Sequence, residues 1–323
     1  MSTAGHRFFE WLYKYGTLVT ILLLIAVFGA ATDNFLSGSN IVTILRSISI
    51  VTIIAIGLTV SLAVGGFDLS VGSTASLANA IVISMFVWYG QMTGVGIAVA
   101  LLFCLVVGLV NAFLVINFKI QDMLMTLATM FVFQGVALTY SRGATISENM
   151  ILPSGDFATG DIPDAFGKLG QVPWIILIML LAVLTVHLFL TYTKHGRYLY
   201  MIGGNPEAAK LSGIAVGKYR LVAYLISALF AGIGGIVLGA RVMNAEVNAG
   251  GPYLMDAVAA AFIGFSVLGA GKPNAFGTFA GAVLIGILSN GLIMLSVPYY
   301  AMDIVKGSVL AVALAITYYK RRH

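Results

Sequence analysis

An all-α membrane protein of about ten transmembrane helices is the expectation from these 323 residues, on three observations. Hydrophobic residues make up 60% of the chain and charged residues only 9%, where soluble domains carry about 25%. Apolar runs long enough to cross a bilayer recur along its length. Lys and Arg collect in alternate connections between those runs. Disorder and nucleic-acid binding need abundant charge and are excluded. At about 20 residues per span, ten spans use up the sequence. Residues 1–323 are therefore expected to form one transmembrane domain with no separate soluble part.

The apolar runs fall at 17–31, 41–62, 72–89, 95–116, 123–140, 172–192, 221–240, 254–268, 278–296 and 304–319. The first follows Arg7 and Lys14 and ends in Gly29-Ala30-Ala31, a pattern shared with cleaved signal peptides. The many spans that follow it favour a retained helix. Gly and polar residues inside several runs suit helices that face protein rather than lipid. The run 254–268 is short and reads as a half-membrane or tilted helix.

With the amino terminus in the cytoplasm, the inner segments hold Arg7, Lys14, Lys119, Lys194, Arg197, Lys210, Lys218, Arg220, Lys272, Lys320, Arg321 and Arg322. The outer segments and helix ends hold only Arg46, Arg142, Lys168, Arg241 and Lys306. The positive-inside rule then places both termini in the cytoplasm. Residues 1–16 become an inner amino-terminal segment, 193–218 an inner loop, and 141–171 an outer loop bearing Glu148, Asp156, Asp161 and Asp164.

Five spans start from inside and the next five from outside. Matching places share letters. Gly65-Gly66-Phe67-Asp68-Leu69 follows the second span, and Gly250-Gly251-Pro252-Tyr253-Leu254 the seventh; Asn111 precedes Asp122 as Asn290 precedes Asp303. Two inverted five-helix repeats, a common transporter design, would produce this placement. So would coincidence in a small, biased alphabet.

No Asp, Glu, Lys or Arg lies in the middle of a span. Arg46, Arg241, Asp256, Asp303 and Lys306 sit near outer ends, and His187 is the only imidazole within a span. Proton relays and voltage sensors need ionisable groups at depth. A pathway without fixed charge suits a neutral polar solute instead. The single cysteine, Cys104, cannot form an internal disulfide and reads as a small core hydrophobe. His6, His187, His195 and His323 are scattered, and no hydrolase or zinc motif is present. No catalytic or metal site is expected.

The most basic stretch, 191–219, carries the sharpest local signal. Asn205 is a good N-cap, Pro206 suits the first helical position, and Glu207 complements the helix dipole. Ala208, Ala209, Lys210 and Leu211 favour helix, and Gly213 suits a left-handed stop. A short capped helix outside the bilayer follows. It either joins two spans or seats in a groove on another protein and transmits force.

The segment Gly203-Gly204-Asn205-Pro206-Glu207-Ala208-Ala209-Lys210-Leu211-Ser212-Gly213-Ile214 resembles the GGNxxAAxx(S/A)GI loop of ribose-type ABC sugar permeases, the ribose, xylose and autoinducer-2 import group. Gly65-Gly66-Phe67-Asp68-Leu69-Ser70-Val71-Gly72 resembles that family's GGIDLSVG, with Phe67 in place of Ile. Residues 270–278 resemble the late GGKGxxxGT motif, from which Ala270, Pro273 and Asn274 depart. Asn290-Gly291-Leu292 matches the family's NNGL except that Ser289 precedes it.

The resemblance implies a type II-like ABC importer permease of the bacterial inner membrane. Such a subunit pairs with a second copy of itself. It docks on a separate ATPase, often two cassettes on one chain, which binds ATP and Mg. It receives a neutral sugar from a solute-binding protein. The resemblance also implies that Gly203, Gly204, Asn205, Pro206, Glu207, Ala208, Ala209, Lys210, Leu211 and Gly213 form the contact that couples to the ATPase. This chain is expected to bind no cofactor. Its Gly-Lys pairs, Gly167-Lys168, Gly217-Lys218 and Gly271-Lys272, all lack the Ser or Thr that completes a Walker A loop.

Pathway or gate candidates are Gly65, Gly66, Phe67, Asp68, Ser70, Asn79, Asn111, Gln134 and Asn290. Asp68 or Ser70 either caps the helix after Gly65-Gly66 or gates the pathway. The amides either bond between helices or line a sugar path. The outer loop 141–171 is either an ordinary solvated loop or a dock for the binding protein. A permease for branched-chain amino acids or nucleosides, and an ion-coupled secondary transporter, are the rival functions.

Overall fold

The computed structural model describes residues 3–152, 154–265, 267, 271–298, 300–308 and 311, with side chains from Tyr15 onward. The helices are α1 (Thr3–Ala31), α2 (Gly38–Ala63), α3 (Val71–Val87), α4 (Thr93–Phe118), α5 (Asp122–Tyr140), α6 (Asp164–Gly167), α7 (Trp174–Tyr192), α8 (Lys194–Gly204), α9 (Pro206–Leu211), α10 (Val216–Val242), α11 (Gly251–Ile263) and α12 (Ala275–Met294). Residues 300–308 begin a further helix. The rest of the run 304–319 lies outside the described residues apart from Ala311. So do the basic residues 320–322 and the side chains of His6, Arg7 and Lys14.

Among the described residues α2, α4, α5, α7, α10 and α12 are long and apolar enough to cross a membrane. Shorter apolar helices are α3, α11 and the Tyr15–Ala31 part of α1. At 13 residues, α11 is about 20 Å long, well short of the ~30 Å hydrocarbon layer. The short run at 254–268 is thus a half-length helix.

Two long helices, α2 and α10, form the centre. They pack on each other; α10 also packs on α3 and α4, and α2 on α7, α11 and α12. Small residues let them approach. A Cβ on Gly57 of α2 would strike the Ser227 carbonyl and Phe230 Cβ of α10, and one on Gly234 of α10 would strike Ile54 of α2. Close backbones of this kind hold membrane helices together where water supplies no hydrophobic drive. The outer helices turn large apolar side chains away from the protein, among them Phe103, Phe113, Phe131 and Leu181.

Two segments differ from the expectation. The stretch 193–218 holds two helices rather than one. Thr193 Oγ1 accepts the Gly196 amide at 3.0 Å to open α8, while Leu199 and Ile202 bury its inner face. The loop 141–171 is folded against the bundle rather than freely solvated. Ile146 and Ala245 exchange both backbone hydrogen bonds, at 3.0 and 2.8 Å. Phe166 is fully buried edge-on to Phe86, ring centres 4.8 Å apart. Gly170 abuts the α10 backbone at Ala240 and Arg241 so closely that no Cβ fits.

Candidate functional site

The site is built from one end of the bundle, where α9, the start of α10, the end of α2 and the start of α5 meet. The local sequence makes α9 as expected. Asn205 Oδ1 accepts the amides of Glu207 at 3.1 Å and Ala208 at 3.0 Å, Pro206 fills the first turn, and Gly213 turns left-handed at φ 80°. Ala209 and Ile214 are buried and anchor the helix. Pro206, Glu207, Ala208 and Lys210 face out, and Leu211 is 89% exposed. Among the described residues nothing buries this leucine at the helix tip.

Immediately before α9, the end of α8 touches two elements. A Cβ on Gly203 would strike the Ala63 carbonyl, and a Cβ on Gly65 would lie 3.3 Å from Gly203 Cα. Only glycine at both places allows this backbone contact. Gly204 has open space around it. On the other side, Tyr200 donates its hydroxyl to the Pro273 carbonyl at 2.6 Å, and Lys272 Nζ lies 4.6 Å above the Tyr200 ring. Burial pushes the Tyr200 phenol up to about 12, so it remains a donor at physiological pH. The end of α8 thus touches the α2–α3 break through backbone and the 271–273 loop through the Tyr200 side chain.

Between these elements lies a cleft of about 870 Å³. Gly65, Gly66, Phe67, Gln121, Asp122, Tyr200 and Lys272 line it, with Phe262 and Phe265 of the α11 side. Phe67, the larger residue where the resembled motif has Ile, stacks at 5.6 Å from Phe262.

Behind the cleft a buried polar network closes the α2–α3 break. Asp68 Oδ1 accepts the Ser70 amide at 3.0 Å and the Ser70 hydroxyl at 2.6 Å; Oδ2 accepts the Ser227 hydroxyl of α10 at 2.8 Å. Asn111 of α4 donates to Ser70 Oγ at 2.7 Å and accepts from Thr129 of α5 at 2.6 Å. Thr126 accepts the Leu69 amide at 3.1 Å and donates to the Phe67 carbonyl at 2.9 Å. Of the two capping candidates, this rules out Ser70 alone, since Asp68 accepts the Ser70 amide just ahead of α3. Ser70 stands at the cap position of α3 without a side-chain cap bond, because its hydroxyl is committed to Asp68.

Nearer the end, Tyr224 donates to Asp122 Oδ2 at 2.6 Å and Arg220 lies 3.6 Å from Oδ1. Asp122 enters the sequence reading only as the counterpart of Asp303 in the repeat, and Tyr224, Ser227, Thr126 and Thr129 carry no local mark there. Their signal was spacing: Arg220, Tyr224 and Ser227 fall at i, i+4 and i+7, on one face of α10.

The remaining amides separate. Asn290 and Asn40 exchange two hydrogen bonds, each 3.0 Å, and join α12 to α2. Gln134 donates to the Val247 carbonyl at 3.1 Å, far from the cleft. Asn79 is fully buried on α3 against Gly239, and among the described residues neither of its amide atoms has a hydrogen-bond partner. The structure thus gathers Gly65, Gly66, Phe67, Asp68, Ser70 and Asn111 with Gly203, and leaves Asn79, Gln134 and Asn290 elsewhere. Cys104 is fully buried. Among the described residues no three His, Cys, Asp or Glu side chains gather to hold a metal.

Residues 40–314 match the family model described as branched-chain amino acid transport system / permease component. The ribose import permease protein RbsC of Escherichia coli (strain K12) is 34% identical, over 98% of this chain and 97% of its own length. The RbsC of Bacillus subtilis (strain 168) is 33% identical over 94% and 92%. The galactose/methyl galactoside import permease protein MglC of Salmonella typhimurium (strain LT2) is 31% identical over 96% and 95%. No solved structure matches the chain.

Proposed function

The chain belongs to the branched-chain amino acid transport system / permease component family, and from that premise we propose that it is the membrane subunit of an ATP-driven importer of a neutral small sugar. It is a transport component rather than an enzyme. The sugar reading is favoured over amino acids by relatives named for ribose and galactose that cover nearly the whole chain. The charge-free span interiors agree with it.

In this reading α9 is the handle. A separate ATPase binds ATP with Mg and closes its cassettes. Their surface pushes on α9, and α8 carries the displacement to Gly65 and Pro273. The cleft beside Phe67 then changes its opening, an alternating-access movement of one half of the bundle against the other. Two copies of the chain frame the pathway in the bacterial inner membrane. Both termini, residues 1–16 and the loop 193–218 lie in the cytoplasm. The loop 141–171, with Asp156, Asp161 and Asp164 exposed beside Ile151 and Phe157, receives the solute-binding protein outside.

The two-repeat architecture is supported by matched packing. As α10 packs on α3 and α4, so α2 packs on α11 and α12, and the α3–α4 contact has its counterpart in α11–α12.

The single observation that carries the proposal is the capped α9 helix with Leu211 bare at its tip, seated on α8. The test is reconstitution of the complete transporter in liposomes. Leu211→Asp is expected to lower sugar transport at least tenfold while the isolated permease keeps its thermal stability. Wild-type transport by that variant would remove α9 from the mechanism.

A further inference from the structure

At the end of the bundle opposite α9, a pocket of about 430 Å³ opens between α2, α10, α11, α12 and the helical segment 300–308. That volume is in the range of small-molecule sites, about 300–1,000 Å³. Its apolar walls carry four charged residues, Arg241, Glu246, Asp256 and Lys306. Lys306 donates to both Asp256 oxygens at 3.1 and 3.0 Å, and the four formal charges cancel.

One further polar group points to a ligand. Ser289 lines this pocket, and among the described residues its hydroxyl oxygen is shut from solvent without a hydrogen-bond partner. A buried polar atom left unpaired is costly, and native proteins rarely carry one without a use. This is also the position at which the chain has Ser where the resembled motif has Asn. The smaller side chain leaves room and an unused hydroxyl.

The chemistry selects the ligand class. An anion or a cation would meet as much repulsion as attraction on a wall of cancelling charges. A neutral polyol has hydroxyls that donate and accept at once, so cationic donors and carboxylate acceptors both find partners. Tyr253 and the aliphatic walls provide an apolar surface for the face of a sugar ring. We infer that this pocket is a transit subsite for a neutral monosaccharide, in which the Ser289 hydroxyl bonds a sugar hydroxyl and the Asp256–Lys306 pair and Arg241 bond others. The inference rests on the sugar-import reading and adds a site to it.

The test uses the complete transporter in liposomes, with its ATPase and binding protein. The chain has one cysteine, and it is fully buried. A Cys104→Ala, Ser289→Cys variant therefore reports on the pocket alone. The measurement is its modification rate by an impermeant methanethiosulfonate while the transporter cycles on ATP and the pathway opens, without sugar and with ribose, xylose or galactose. A thiol that stays unmodified even without sugar overturns the subsite. At least one sugar that is transported is expected to slow modification fivefold or more. Equal rates with and without a sugar that the same liposomes transport overturn the subsite and leave the import reading standing. No transport by the wild type of any of the three, nor of any other sugar in a panel of neutral pentoses and hexoses, overturns the import reading and the subsite with it. Ser289→Ala removes only the unpaired hydroxyl, so the fold tolerates it. Its transport rate at saturating binding protein is expected to fall about fivefold, and a wild-type rate counts against the role of Ser289.

Discussion

The chain breaks twice between central helices, and the two breaks are closed by different means. The first, 64–70 between α2 and α3, turns on Gly65 at φ 77°. Side chains close it, with Asp68 accepting from Ser70 and Ser227 and Asn111 reaching in from α4. The second, 243–250 between α10 and α11, turns on Met243 at φ 54°, a left-handed conformation with no glycine to ease it. There the break's own backbone groups make the bonds, with Ala245 bridged to the Ile146 backbone, the Gly250 amide donating to Ser76 Oγ at 2.9 Å and the Val247 carbonyl accepting from Gln134 at 3.1 Å. The first break is thus locked by one buried carboxylate. The second shares its bonds with the loop 141–171, so whatever moves that loop moves the break.

Asp68→Ala should have the largest effect. It strands the Ser227 hydroxyl and the Ser70 amide and hydroxyl in a fully buried site. Losing several bonds to one buried carboxyl group costs about 3 kcal/mol or more. A large drop in the thermal midpoint of the purified permease is expected, and Asp68→Asn, which keeps the shape and one acceptor oxygen, should lose less. A midpoint unchanged by Asp68→Ala would show that the first break is not held by its carboxylate.

Gly250→Ala comes next. Its new Cβ would meet the Gly72 carbonyl, and lie 2.8 Å from the Ser76 nitrogen and 2.9 Å from Ala75 Cβ. Most of these are backbone atoms, which cannot step aside, and overpacking of this kind costs about 1–3 kcal/mol. Gly204→Ala, with nothing within 4 Å of the new carbon, should leave the midpoint unmoved. Equal losses in the two variants would mean that the contact at Gly250 yields.

Hydropathy made the spans legible, because an apolar run in a bilayer has few alternatives to helix. The α9 cap was legible because Asn205, Pro206 and Gly213 act within a few residues of themselves. The Gly65-Gly66 stop was legible for the same reason. The Asp68 network was not, since Ser227 is 159 residues away in sequence and only the crossing of α2 and α10 brings it near. Nor was α8. Three glycines in Lys194–Gly204 argue against helix, and the contact of Gly203 with Ala63 that explains one of them is tertiary. The fold of 141–171 was hidden likewise, because Phe166 gives no local sign that it will pack on Phe86.

Ile146→Pro probes the backbone closure directly. It deletes the amide that donates to the Ala245 carbonyl at 3.0 Å, a loss of about 1 kcal/mol. Amide exchange should quicken over 243–250 and stay unchanged over 64–70. Quickening at both breaks would mean that they open as one unit.

The smallest expected effect is the most selective. Gln134 sits on α5 but donates to the Val247 carbonyl, inside the second break. One neutral bond between partly exposed groups contributes about 0.5–1 kcal/mol, so Gln134→Leu should barely move the thermal midpoint. Its consequence is dynamic. With that carbonyl released, the hydrogen bonds that remain from 244–250 to other segments among the described residues are those to Ile146 and Ser76, and local opening should rise a fewfold in amide exchange. Because α5 also carries Thr126 and Thr129 into the first break, Gln134 is where a single helix touches both closures. If Gln134→Leu quickens exchange around Asp68 as well, α5 links the two breaks; if only 243–250 responds, they are independent devices on one bundle.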